Sequence, residues 1–406
     1  MIPAKQTGTS AEGADSFCPC TEALTVGEDT RRSIEAKSSQ RLTPTMLNQL
    51  CGCIAILALG FLNSGLAQTS FSPAAATVIT RLLSDEHVPG VSIAQVSGGK
   101  IVALGAYGRQ DSLVAAKPTT LFNVASLAKP ISAEVALRLV AQGMISLDEP
   151  MDKYWTDPDI ARDDRRRLLT PRFSLTHRTG FSANWRSEDG GTLRFSNTPG
   201  TTFHYSGEGY EYLARFIHKK TNRDLQEQAR ELLFAPAKMT ATSYVRQPWF
   251  EGRVALPADG DGVWRDPMFT DSPIASDLLY TTAGDYARFL IQVMNNEGIT
   301  DSLARERQRV QVSLLEEIGQ SIPVELRPDE LGMGLGWMVI RFKQTTFLMH
   351  TGHDPGVHTF AYLSPTNGTG AVILTNGENG KRVVAPLLKE IGAEPELVAL
   401  LEQTMR

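Results

Sequence analysis

Phe122-Asn123-Val124-Ala125-Ser126-Leu127-Ala128-Lys129-Pro130 is the stretch that organises the rest of the chain. Ala133, Ala136, Leu137 and Val140 follow at i, i+3, i+4 and i+7, which predicts a helix over about 126–142 with one apolar face. Pro130 is tolerated only near the start of such a helix, so Ser126 falls at its N-terminal end. The positive end of the helix dipole there favours a developing anion. Ser126 and Lys129 are three apart and share a face. A serine hydroxyl is a weak nucleophile without a base within hydrogen-bond reach. A lysine can be that base where burial disfavours its charged form. The same spacing also arises by chance, so the stretch needs partners elsewhere in the chain.

Working outward, Ala76, Val78, Ile79, Leu82 and Leu83 give a helical pattern that ends before the turn Pro89-Gly90. Two β-rich runs, 90–96 and 100–107, are split by Ser97-Gly98-Gly99 and read as a hairpin. Residues 150–300 are loop-rich, with helical segments over 209–219, 225–233 and 283–295. Strands return at 334–341, 345–350, 357–363 and 370–375, followed by a helix from about Val383. The strands at the two ends can join one antiparallel sheet. The expected fold is therefore α+β, an antiparallel sheet flanked by helices with an inserted all-helical region at about 150–300.

Two further stretches carry candidate chemistry. Phe203-His204-Tyr205-Ser206-Gly207 precedes a helix, and a tyrosine can act as general acid or base when a cation such as Lys129 stabilises its phenolate. Taken alone, Tyr205 reads as an aromatic core residue at a helix entry. Phe347-Leu348-Met349-His350-Thr351-Gly352-His353 ends an apolar strand. Its Thr351-Gly352 edge offers a hydroxyl and uncovered backbone to an oxyanion or an extended substrate. His350, His353 and His358 raise a metal reading, but positions 350 and 353 of a strand point to opposite faces, and no H-E-x-x-H is present. No metal or other cofactor is expected. His177 reads as a structural hydrogen-bonder. There is no G-x-S-x-G, so an α/β-hydrolase arrangement is unsupported.

Taken in order, these three stretches resemble the S-x-x-K, Y-x-N and K-T-G motifs of the serine β-lactamases and penicillin-binding proteins. The class C enzymes and their carboxypeptidase and esterase relatives are the most similar. The resemblance runs from about residue 75 to about 392 and includes Ser174-Leu175-Thr176-His177-Arg178-Thr179-Gly180, Pro199-Gly200, Leu279-Tyr280-Thr281-Thr282-Ala283-Gly284-Asp285, Gly334-Leu335-Gly336-Trp337 and Leu374-Thr375-Asn376-Gly377. It implies that Ser126 is the nucleophile, Lys129 its proton partner and Tyr205 the base. It implies an oxyanion hole made of the Ser126 and His353 backbone N–H groups, with 350–353 as the substrate-binding edge. Two positions depart from the pattern. Gly207 stands where the family has asparagine, and His350 stands where β-lactamases usually have lysine. A fixed charge for a substrate carboxylate is thereby missing or pH-dependent.

The expectation is a serine hydrolase acting on a small ester, amide or peptide through an acyl-enzyme, with esterase-like activity favoured. The alternatives are a D-amino-acid peptidase, a transacylase, a weak β-lactamase, or a non-catalytic binder of cell-wall peptide. A net charge of -5 over 406 residues argues against a nucleic-acid partner. Residues 1–45 lack apolar periodicity and read as a disordered leader. Residues 46–67 have the layout of a signal peptide: an apolar run over 51–62, then Gly65-Leu66-Ala67 with cleavage after Ala67. That run is too short for a comfortable membrane span, so none is expected in the mature chain. The periplasm or export from a bacterial cell follows, with residues 68–406 as the catalytic domain. Cys18, Cys20, Cys51 and Cys53, the four cysteines of the chain, read as packing or targeting residues rather than a zinc site.

Overall fold

A computed structural model describes residues 70–405. The leader, the signal-peptide segment and all four cysteines lie outside the described residues.

The strands are β1 (Gly90–Ser97), β2 (Lys100–Gly108), β3 (Phe122–Asn123), β4 (Tyr280–Thr281), β5 (Val312–Ser313), β6 (Glu330–Met333), β7 (Met338–Phe342), β8 (Thr345–Asp354), β9 (Val357–Ser364) and β10 (Thr369–Thr375). Helices of eight residues or more are α1 (Pro73–Asp85), α2 (Ala128–Ala141), α3 (Gly207–Thr221), α4 (Ala283–Met294), α5 (Asp301–Gln308), α6 (Lys381–Glu390) and α7 (Pro395–Thr404). Eight strands form one antiparallel sheet in the order β2-β1-β10-β9-β8-β7-β6-β5, and β3 pairs with β4. The expected closure of the two ends is the β1–β10 pairing, which runs from Val91↔Thr375 to Ser97↔Thr369.

Period-2 alternation sorts the sheet's side chains onto two faces. Leu348, Ala361, Leu363, Val372 and Leu374 join one core with α2, α3 and α4. Phe347, Met349, Phe360, Tyr362 and Ile373 join a second core with α1, α6 and α7. Both faces are thus covered, and the fold is the α+β arrangement expected from the sequence.

Several boundaries differ from expectation. Helix α2 has no single apolar face, because every residue from Ala128 to Leu139 is buried. Its charges are satisfied internally: Glu134 pairs with Arg138 at 2.7 Å and with Arg307 at 3.0 Å. The strand expected over 334–341 starts only at Met338, as β7, and a further strand, β6, precedes that range. They are separated by a turn in which Gly334 N donates to Trp337 O at 2.8 Å and Gly336 has φ +83°. A Cβ at Gly336 would overlap Ala133, so this turn rests directly on α2. The helix expected over 225–233 leaves α geometry after Ala229 and continues as a π turn over Arg230–Phe234. The insertion is not all-helical, since it contributes β4 and long irregular segments. Among the described residues no helix is long and apolar enough to cross a membrane.

Candidate active site

Ser126 sits in a 3-10 turn, Ala125–Leu127, between β3 and α2. Ala125 is left-handed, with φ +48°, and its N–H donates to Asn123 Oδ1 at 2.9 Å. Val124 O accepts from Leu127 N and from Thr359 Oγ1 on β9, the latter at 2.7 Å. The turn is therefore tied to β3, to its own helix and to the large sheet.

Lys129 is 1% exposed. Its Nζ donates to Ser126 Oγ at 2.8 Å and to Ser276 O at 3.1 Å. Ser276 is held in turn by Glu211 on α3, which accepts from Ser276 N at 3.0 Å and from Ser276 Oγ at 2.8 Å. Burial raises the Glu211 carboxyl above its ordinary range.

Tyr205 places its ring centroid 4.8 Å from Lys129 Nζ, within cation–π range. The His177 ring stacks on it at 4.3 Å. His177 Nδ1 accepts from Ser206 N at 3.1 Å, which leaves the proton on Nε2. Burial, with Lys129 and His350 nearby, holds His177 well below the ordinary histidine range. His177 is thus a hydrogen-bonder, as the sequence suggested, and it also supports the Tyr205 ring. It does not bond to Ser126.

Strand β8 brings the other expected residues alongside. His350 is 6% exposed, and its Nδ1 donates to Thr351 O at 2.7 Å. Burial first, then the charge of Lys129, pushes its pKa down to about 3. Of the two states expected, a missing or a pH-dependent charge, the neutral imidazole holds across physiological pH. Thr351 is half-buried on the opposite face, opposite Phe360. Gly352 has no substitute here: a Cβ would overlap Val124 O and Thr359 Oγ1 and sit 3.1 Å from Ser126 N. That close approach brings the β8 backbone against the Ser126 turn. The His353 ring is exposed, with Nε2 3.5 Å from Glu378, and its backbone N–H is the group the resemblance assigns to an oxyanion.

At Gly207, where the family pattern has asparagine, a side chain would be crowded. A Cβ there would lie 3.1 Å from Ser276 Oγ and 3.1 Å from the Trp185 ring, while Gly207 N donates to Asn184 Oδ1 at 2.7 Å. Asn123, Trp185, Glu211, Ser276, Asp277 and Asp354 were not singled out from the sequence. Asn123 lies within the Ser126 stretch and Asp354 directly follows the 347–353 stretch, while a glutamate set among Tyr210, Tyr212 and Leu213 is the signal that could have pointed to Glu211.

The beta-lactamase family model matches residues 75–393. Protein flp of Staphylococcus aureus (strain NCTC 8325 / PS 47) is 24% identical over 320 residues, covering 74% of this chain and 62% of that protein. The chain thus spans less than two thirds of that relative's length. The D-amino acid amidase of Ochrobactrum anthropi SV3, solved in complex with L-phenylalanine, superposes with a TM-score of 0.63 at 19% identity, over 79% of this chain and 99% of that one. The class C beta lactamase of Rhodobacter sphaeroides gives 0.62 at 17% identity, over 79% and 100%. These two likenesses establish the fold. The family match runs from α1 to just past α6 and takes in the whole eight-stranded sheet and the Ser126 turn; the chain belongs to the beta-lactamase family, whose members are serine hydrolases.

Proposed function

We propose that this chain cleaves an ester or amide through an acyl-enzyme on Ser126, and that it favours uncharged esters over anionic β-lactams. The observation that carries the chemistry is the buried Lys129 Nζ, 2.8 Å from Ser126 Oγ. Ser126 Oγ attacks the carbonyl carbon, and its proton passes to Tyr205 or Lys129. The carbonyl oxygen becomes an anion facing the N–H groups of Ser126 and His353. The bond to the leaving group breaks, and the proton goes to the departing alcohol or amine. Water then attacks the acyl ester by the same relay, releasing the acid and restoring the serine.

The preference for uncharged substrates rests on His350. A lysine at that position would offer a substrate carboxylate a charge-assisted hydrogen bond, about twice as strong as a neutral one. A neutral imidazole offers none. The likeness to a D-amino acid amidase favours a second reading, in which the scissile bond is an amide or the acyl group passes to a second acceptor. Export through the 51–62 apolar run, giving an N-terminus near Gln68 and a periplasmic or secreted enzyme, belongs to the same proposal. The test is kcat/KM for purified protein on a short-chain p-nitrophenyl ester, a chromogenic cephalosporin and D-amino-acid amides. The ester should be turned over fastest. Cephalosporin turnover equal to or above ester turnover rejects the preference, and faster amide turnover selects the second reading.

A further inference from the structure

Beside the Ser126 turn lie two carboxyl groups that the mechanism above leaves unused. Asp354 is the last residue of β8, directly after His353. Asp277 directly follows Ser276, whose carbonyl receives Lys129. The Asp354 carboxyl is hydrogen-bonded to that of Asp277. Asp354 Oδ2 also accepts from Asn123 Nδ2 at 2.6 Å, and this fixes which way the Asn123 amide faces. Asn123 Oδ1 is then presented to Ala125 N. On the other side, Asp277 Oδ1 accepts from Leu278 N at 2.6 Å.

The two backbone positions held in this way are both left-handed, Ala125 at φ +48° and Leu278 at φ +51°. Alanine and leucine disfavour that region, so the conformation persists only where the surroundings hold it. One hydrogen-bonded chain therefore joins three segments: the turn that carries the nucleophile, the strand that supplies the His353 N–H, and the loop that supplies Ser276 O to Lys129.

We propose that the Asp277–Asp354 pair is a positioning device for the nucleophile, which keeps these three segments in register while the pair holds one proton and releases them when both carboxyls are ionised. This rests on the reading of Ser126 as the nucleophile. In the singly protonated pair, the Asp354 hydroxyl donates to Asp277 while its other oxygen accepts from Asn123. Removing that proton leaves two facing anions and no hydrogen bond between them. Burial, then the Asp277 charge, raises Asp354 to about 7, and burial raises Asp277 as well. The other ionisable groups facing the pair are Lys129 from α2 and Tyr280 from β4. Arg265 and Asp266 line the same cleft, of about 260 Å³, as Asp354. Lys129 opposes the shift without cancelling it.

The test is the rate at which a fluorophosphonate probe labels Ser126 between pH 5.5 and pH 9, in the wild-type full chain and in Asp354→Asn. The asparagine retains an acceptor for Asn123 and a donor for Asp277 but has no proton to lose. Taking the variant-to-wild-type ratio at each pH cancels ionisations common to both proteins. The ratio should stay near one below pH 6 and rise to roughly tenfold by pH 8.5. Asp277→Asn, on a different segment, should show the same rise and serves if Asp354→Asn does not fold. Wild-type labelling with a ratio that is flat in pH overturns the positioning role alone. No label on Ser126 at any pH overturns the nucleophile itself and the positioning role with it.

Discussion

Two basic side chains are buried side by side in the candidate site, and they meet opposite environments. Lys129 on α2 finds two oxygen acceptors, Ser126 Oγ and Ser276 O. His350 on β8 finds one carbonyl, that of Thr351, and burial beside Lys129 strips its charge. The α2 side therefore carries the groups that the proposed acylation uses. The β8 side has lost the cation that anion recognition would use. Gly207 extends the contrast, because Trp185 and Ser276 crowd the first carbon of any side chain there. In the proposed reading, reaction and recognition sit on separate elements, so one can change while the other stays.

The contrast can be broken most sharply on the α2 side. Ser126→Ala should lower ester kcat by about 10⁴-fold or more, with the fold intact by circular dichroism. Lys129→Met should lower acylation by roughly 10³-fold, within the range for removing a positioned proton-transfer group. Either variant retaining near wild-type turnover would dissolve the distinction between the two sides.

On the β8 side the effects are smaller and selective. His350→Lys should raise cephalosporin kcat/KM relative to ester by about five- to thirtyfold, equivalent to ~1–2 kcal/mol of carboxylate recognition. An unchanged ratio would remove His350 from specificity. Gly207→Asn alone should not improve acylamino substrates, since its side chain meets Trp185 and Ser276. Trp185→Ala combined with Gly207→Asn should give a gain of about two- to fivefold, on the scale of one neutral hydrogen bond. An equal gain from the single variant would show that the indole does not block the position.

His350 also has a signature in stability. Its folded pKa of about 3 lies below the ordinary 6.5, so below pH 6.5 the unfolded chain binds a proton that the folded chain refuses. Its contribution is therefore present above pH 6.5 and is lost as pH falls towards 3. Asp354 runs the other way: its folded value of about 7 lies above 3.8, so its contribution is present below about 4 and lost as pH rises through 7. His350→Gln should flatten the acid fall in Tm by a few degrees. Wild type and variant falling in parallel would place the acid sensitivity elsewhere, with His177 the next candidate.

What the sequence disclosed depended on how far apart the interacting residues lie. Ser126 and Lys129 meet through helical spacing, and β-rich runs exposed β1, β2, β9 and β10. Asn123 and Asp354 meet across 231 positions, and Glu211 and Ser276 across 65, so no local pattern pairs them. The neutrality of His350 depends on burial, which a strand pattern does not disclose. The strand expected over 334–341 took in residues 334–337 because the apolar run through Leu335 and Trp337 hides a turn that Gly336 makes against Ala133. Helix α2 showed one apolar face where the fold buries them all, since its Glu134 and Arg138 look like solvent-facing residues until Arg307 is placed beside them.

The measurement closest to the centre of this account is peptide mapping by mass spectrometry after treating the wild-type protein with a fluorophosphonate. The account predicts one adduct, on the peptide containing Ser126, and none in Ser126→Ala. An adduct on Ser206, or on no serine at all, would contradict it.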